Sequence, residues 1–256
     1  NQQLLQKARF RMKFDEFFFM QLRLLMQKKV RLEKFKGQVL QKTDLLTAFY
    51  ESYLPFDLTG AQKKVIKEIF ADFKSGKQMN RLLQGDVGSG KTIVAFIASL
   101  IAIDSGTQVA LMAPTQILAN QHYDGLKEFA DKIGVSIALL TGSTKTKARR
   151  TIHEDLKSGE LKILVGTHAL LEEVVQFQNL GLAIVDEQHR YGVAQRARLW
   201  KKNENFVPHV LIMTATPIPR TLSMSVYGDL DISVIDELPA GRKEIKTLHK
   251  YDANRL

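Results

Sequence analysis

The sequence predicts an α/β protein: a parallel sheet with helices on both faces, preceded by one long N-terminal helix. Three observations carry this. From about residue 56 onward, short apolar runs alternate with stretches of helical periodicity, the order that βαβ units write into a chain. The runs are almost continuously apolar, as strands covered on both faces are. Residues 9–36 contain no Gly or Pro and repeat large apolar side chains at spacings of three and four, which is helical periodicity.

Taken in order, Phe10, Phe14, Phe17 and Phe18, then Leu22, Leu25 and Met26, form one stripe of an amphipathic helix that stops at Gly37. Such a stripe is a packing face, expected to dock on the main domain with Lys and Arg outward. Strands are expected at 81–84, 109–113, 136–140, 162–166, 182–185 and 210–213, with helices at 92–104, 116–132 and 145–157. In parallel sheets of this kind, ligands bind beyond the carboxyl ends of the strands.

Composition narrows the function classes. With 256 residues, 45% hydrophobic and 25% charged, the chain is globular and long enough for one large domain with an appendage. It lacks an apolar run of bilayer length or a signal peptide, so no membrane partner and a cytoplasmic location are expected. The absence of cysteine excludes disulfides, thiolate zinc sites and cysteine nucleophiles. The six histidines show no ligand spacing, and a dedicated zinc site is not expected. The first fifty residues hold 11 basic and 4 acidic side chains, net +7 of a total +10. This basic segment suits nucleic acid, an anionic surface or simply a solvated helix face. The chain begins at Asn1 and stops at Leu256 soon after a strand-like stretch, as a piece of a longer protein would.

Directly after the first strand comes Gly85-Asp86-Val87-Gly88-Ser89-Gly90-Lys91-Thr92, which matches G-x-x-x-x-G-K-[ST] in its strand–loop–helix context. Glycines let the backbone wrap phosphate oxygens, and successive amides at a helix start supply donors and positive potential. Lys91 would reach the β- and γ-phosphates and Thr92 would ligate Mg²⁺. Residues 182–185 then deliver Asp186 and Glu187, carboxylates suited to hold Mg²⁺ through water and to orient or deprotonate an attacking water. Gln188 and His189 follow. Thr214, Ala215 and Thr216 close the next strand, where hydroxyls can bond the water-activating carboxylate. Pro114-Thr115, Gly142 and Gly166-Thr167 end three further strands, each readable as a cap or turn, or as a contact for anions such as backbone phosphates. Phe56 and Gln62 precede the first strand, and the Gln62 amide can pair with the N6 and N7 edges of adenine.

This ordered set, with Asp186–Arg196, Thr214–Leu222 and Pro239–Arg242, resembles the superfamily 2 helicases and most closely the RecG family of branch-migrating DNA helicases. The resemblance covers roughly residues 9 to 250. It implies a RecA-like first motor domain that uses ATP and Mg²⁺, with Gln62 and Phe56 at the base, Gly85–Thr92 around the phosphates, and Lys91, Asp186 and Glu187 serving hydrolysis. Gln188, His189 and Thr214–Thr216 would couple hydrolysis to movement, while Pro114, Thr115, Gly142, Gly166 and Thr167 would face DNA. It further implies a helical linker over 1–50 that packs on the motor domain, that domain over 51–238 and the start of the next unit over 239–256, with branched double-stranded DNA as partner, a monomer, and a wedge and a second RecA-like domain outside this chain. Tyr191 where relatives commonly carry Phe, and Ala240 where a second Pro is usual, are mild departures. A transcription-repair coupling factor's motor and a nucleotide-switched adaptor without translocation stay open as alternatives.

Overall fold

Strands rich in Val, Ile and Leu can bury both faces only in the middle layer of a sandwich, and the computed structural model places them there. It describes residues 2–187, 202–203, 206–216 and 230–239. The strands are β1 (Asn80–Gly85), β2 (Gln108–Met112), β3 (Ile137–Leu140), β4 (Ile163–Gly166), β5 (Leu180–Asp186), β6 (His209–Thr214) and β7 (Asp231–Ile235). All seven run parallel in the order β3-β4-β2-β5-β6-β1-β7. Alternate residues of each strand enter opposite cores. Leu83, Leu111, Val165, Ile184 and Leu211 enter the first, and Leu82, Ala110, Leu164, Ala183 and Ile212 the second.

The first core is covered by α3 (Gly60–Lys74), α4 (Lys91–Asp104) and α5 (Gln116–Lys132), and α2 (Asp44–Ser52) packs on α4. The second is covered by α6 (Thr146–Ser158) and a 3-10 turn at His168–Leu171. From Ile93 to Ile103, α4 is buried on every side, because its one hydroxyl there, Ser99, bonds back to the Ala95 carbonyl at 2.8 Å. From β1 to β6, strand and helix bounds fall within two residues of those expected, whereas the N-terminal helix, expected over 9–36, runs from Gln2 to Lys34. The helices α2 and α3 and the edge strand β7 are additions to that list.

The segment expected as a linker, residues 1–50, behaves in two ways. Residues 36–40 lie along residues 73–77 through Gly37 N–H to Gly76 O and Leu40 N–H to Phe73 O, both 3.1 Å. Phe49 is wholly buried and meets Phe96 and Phe129 edge-on at 5.2 and 5.5 Å, a contribution of roughly 1.5–3 kcal/mol from area alone. His209, at the amino end of β6, accepts from Met79 N–H at Nδ1 (3.0 Å) and so donates from Nε2 to the Gln38 carbonyl (2.7 Å). Its burial pushes its pKa below the ordinary histidine value, against the Gln38 bond and Asp72.

By contrast, the expected docking of the phenylalanine stripe is corrected. The helix α1 (Gln2–Lys34) forms, but Phe10, Phe17 and Met26 remain 73%, 58% and 61% exposed. A helix of 33 residues is about 50 Å long, whereas seven strands span only about 30 Å across a sheet. The domain cannot cover all of it, and one contact that ties it down is Lys28 Nζ to Asp231 Oδ1 at 2.6 Å, near its C-terminal end. Among the described residues no helix is long and apolar enough to cross a membrane.

Candidate functional site

Between β1 and α4 the loop turns on Gly88 and Gly90, whose φ values of 80° and 88° suit glycine. A Cβ at Gly90 would stand 2.2 Å from Gln62 Nε2, and one at Gly85 would stand 2.5 Å from Ser89 Oγ. Gly90 is the N-cap of α4, so the first amides of that helix open onto the loop. Ser89 Oγ is buried without a hydrogen-bond partner. Lys91 Nζ donates to the carbonyls of Gly85 (2.6 Å) and Asp86 (2.9 Å). Burial pushes the lysine below its ordinary pKa, opposed by Asp186, Glu187 and Asp86. A cation held chiefly by carbonyl dipoles, inside a ring of amides, matches what a phosphate needs. Thr92 is half-buried in the first turn of α4, and Asp86, Val87 and Gly88 are exposed at the loop's tip.

Upstream, Thr59 caps α3 and Gln62 reciprocates by accepting the Thr59 N–H at 2.9 Å. The other end of the same amide donates to Ser89 O at 2.9 Å. Gln62, expected at an adenine edge, therefore braces the phosphate loop in this structure. Phe56, in the segment before α3, is 47% exposed.

Glu187 follows β5 with a φ of 54°, a strained value for a residue with a side chain. That turn lets its N–H reach Met213 O at 2.9 Å while its carboxylate accepts from Ala215 N–H (3.0 Å) and Thr214 Oγ1–H (3.3 Å). Thr214 Oγ1 also accepts the Thr216 N–H at 3.2 Å. The expected bond between this carboxylate and the end of β6 is thus present. Asp186 ends β5 nearly buried, with Oδ2 at 2.7 Å from His122 Nε2 of α5. Gln188 and His189 lie outside the described residues.

On the other half of the same edge, Thr115 caps α5 by accepting the Leu118 N–H at 3.3 Å, and Pro114 precedes it half-buried. Gly142 is exposed, with nothing within 4 Å of a Cβ. Gly166 and Thr167 sit at the strand end but are buried, and a Cβ at Gly166 would stand 2.1 Å from Leu140 O.

Residues 59–225 match the family described as DEAD/DEAH box helicase. The chain belongs to that family. The likeness to RecG read from the motifs is also borne out. The ATP-dependent DNA helicase RecG of Bacillus subtilis is 53% identical over 245 residues, covering 95% of this chain and 35% of that protein. The RecG of Aquifex aeolicus is 50% identical over 242 residues, 94% of this chain and 30% of that one. A solved structure of RecG bound to a three-way DNA junction superposes with a TM-score of 0.83 at 45% identity, over 94% of this chain and 32% of that chain. This chain spans about a third of the length of these relatives. The fold is the RecA-like α/β architecture.

In this helicase chain the phosphate loop, Asp186–Glu187 and Thr214–Thr216 therefore gather at the carboxyl ends of β1, β5 and β6. Sequence reading missed His122, because a partner 64 residues from Asp186 leaves no local spacing. Its one trace is that α5 starts from the carboxyl end of β2, next to β5 in the sheet, before it packs back on β3 and β4. Among the described residues no group of three or more His, Asp or Glu side chains could cage a metal. One carboxylate and one hydroxyl, Asp186 and Thr92, are instead a donor set that fits Mg²⁺, which takes few protein oxygens and completes its shell with phosphate and water.

Proposed function

We propose that this chain is the ATP-binding motor domain of an ATP-dependent double-stranded DNA translocase that remodels branched DNA such as replication forks and recombination junctions. The observation that carries it is the bonding of Glu187 to Thr214 and Ala215 across the edge from Lys91. It joins a candidate hydrolytic carboxylate to the strand end read as the coupling element. The RecG likeness supplies the DNA class.

ATP is the substrate. Amides of Gly88–Lys91 and the Lys91 ammonium would take its β- and γ-phosphates, Lys91 leaving the Gly85 and Asp86 carbonyls for stronger phosphate oxygens. Thr92 and Asp186 would hold Mg²⁺, which when bound neutralises charge on the phosphates. Glu187 orients and accepts the proton of the attacking water. As the γ-phosphate leaves, any shift of Glu187 is passed to Thr214–Thr216 through their shared bonds. Phe56 stands at the approach to the base, and Gln62 senses the loop through Ser89. Thr115, Gly142 and the residues beside them would meet the DNA backbone. A second RecA-like domain would supply an arginine finger, worth about 10³–10⁵ in rate in comparable NTPases, and a wedge would grip the junction. The whole protein is expected to act as a cytoplasmic monomer.

The test is ATPase activity of the full-length protein with and without branched DNA, alongside Lys91→Ala. Stimulation by DNA and a loss of at least 10²-fold in the variant are expected. Unchanged turnover in Lys91→Ala overturns the site, and DNA-independent turnover favours a nucleotide-switched adaptor.

A further inference from the structure

We propose that His122 is a positioning residue for Asp186: it holds the carboxylate off the Lys91 ammonium and in the orientation that receives Mg²⁺. The inference rests on the nucleotide-site reading above. His122 Nε2 lies 2.7 Å from Asp186 Oδ2, and both side chains are 12% exposed. An ionised carboxylate only accepts, so Nε2 carries the hydrogen and donates it. The ring stands on a rigid support, because α5 is capped by Thr115 and anchored in the first core by Leu126 and Ala130.

The need for such a brace follows from the charges. Asp186 is close enough to Lys91 to act on it, yet the lysine bonds to the Gly85 and Asp86 carbonyls, and no ion pair joins the two among the described residues. A nearly buried carboxylate beside a partly desolvated ammonium gains by closing on it. That closure would use up the cation meant for phosphate and the oxygen meant for metal. The bond from His122 engages Oδ2 and fixes the carboxylate plane, so the opposite charges face each other without meeting. Partners of metal ligands commonly act this way.

The experiment titrates Mg²⁺ against binding of a fluorescent ATP analogue to the full-length protein, with His122→Ala, His122→Asn and His122→Gln. A glutamine places its amide nitrogen where histidine Nε2 stands, whereas an asparagine stops near Nδ1. His122→Ala and His122→Asn should raise the Mg²⁺ concentration for half-saturation about 10-fold or more, with His122→Gln within twofold of wild type. Thermal melting without nucleotide separates this from lost folding. If His122→Ala does not fold, the Asn and Gln variants decide: equal Mg²⁺ requirements overturn the inference. Lys91→Ala, measured in parallel, tests the underlying reading alone, since wild-type nucleotide binding there would remove the site whatever the His122 variants do.

Discussion

The two halves of the sheet's carboxyl edge satisfy their hydrogen bonds in different ways. Around β1, β5 and β6 the bonds run between elements: Gln62 to Ser89, Lys91 to Gly85, His122 to Asp186, Glu187 to Ala215. Around β2, β3 and β4 most stay within one turn: Leu118 N–H to Thr115 Oγ1, Thr141 N–H to Thr144 Oγ1, Leu170 N–H to Thr167 O. Those that cross between elements include Gln116 to Ser143 at 2.6 Å, Arg149 Nη2 to the Thr141 carbonyl at 3.0 Å and Ala113 N–H to the Gly166 carbonyl at 2.8 Å. Linked bonds make the first half a cooperative unit in which moving one member moves the others. A larger share of local caps leaves the second half more loosely joined, with exposed positions such as Gly142 able to meet a ligand without rearranging the sheet. The first arrangement suits chemistry and the second suits a tracking surface.

The largest effect should come from Glu187→Gln. The amide keeps an acceptor for the Ala215 N–H and a polar contact to the Thr214 hydroxyl, so the network survives while the basic oxygen is lost. Nucleotide affinity should stay within a few-fold, and DNA-stimulated kcat should fall by about 10²–10⁴. If kcat barely changes, the first half of the edge is a structural brace and not a hydrolytic site.

Legibility in the sequence follows the same division. The phosphate loop and the Asp186–Glu187 strand end could be read because backbone-driven chemistry demands a fixed local spacing. The Thr214 bond to Glu187 could also be anticipated, since β5 and β6 had to share an edge. His122 could not, because its contact arises only when the β2–β5 pairing sets the first turns of α5 beside Asp186. Gly166 shows an ambiguity of another kind, for a small residue at a strand end reads alike whether it faces a ligand or admits a neighbouring strand. The stripe on α1 shows a third limit: helical periodicity states that an apolar face exists, not which surface covers it. The strand β7 escaped notice because its polar residues, Asp231 and Ser233, interrupt the apolar run that marks the central strands.

Acid offers a control at the opposite edge. Buried His209 has its pKa pushed below the ordinary value, so unfolded chains take up its proton first, near pH 6.5. The stability it permits is therefore complete above that pH and declines as pH falls toward the lowered folded value, by at most about 1.4 kcal/mol per pH unit. Denaturant unfolding at pH 7.5 and 5.5 should show the loss, and His209→Asn, though less stable throughout, should show a smaller difference between the two. An equal pH difference in the variant would mean that other groups, such as His153, whose pKa burial also lowers, carry the acid response.

The smallest effect on stability is expected at Gly142, and it bears most directly on the second half of the edge. Nothing lies within 4 Å of a Cβ there, so Gly142→Ala should change unfolding free energy by no more than about 0.5 kcal/mol. At Gly166 the added carbon would meet the Leu140 carbonyl and Leu170, and overpacking of that kind typically costs about 1–3 kcal/mol. The pair separates contact from architecture: Gly142→Ala should weaken salt-dependent DNA binding by the full-length protein while leaving its melting unchanged. Gly166→Ala should lower melting first. If Gly142→Ala leaves DNA affinity untouched across a salt series, its exposure is that of an ordinary surface turn. The DNA path must then leave the β3 end and be sought along Pro114–Thr115.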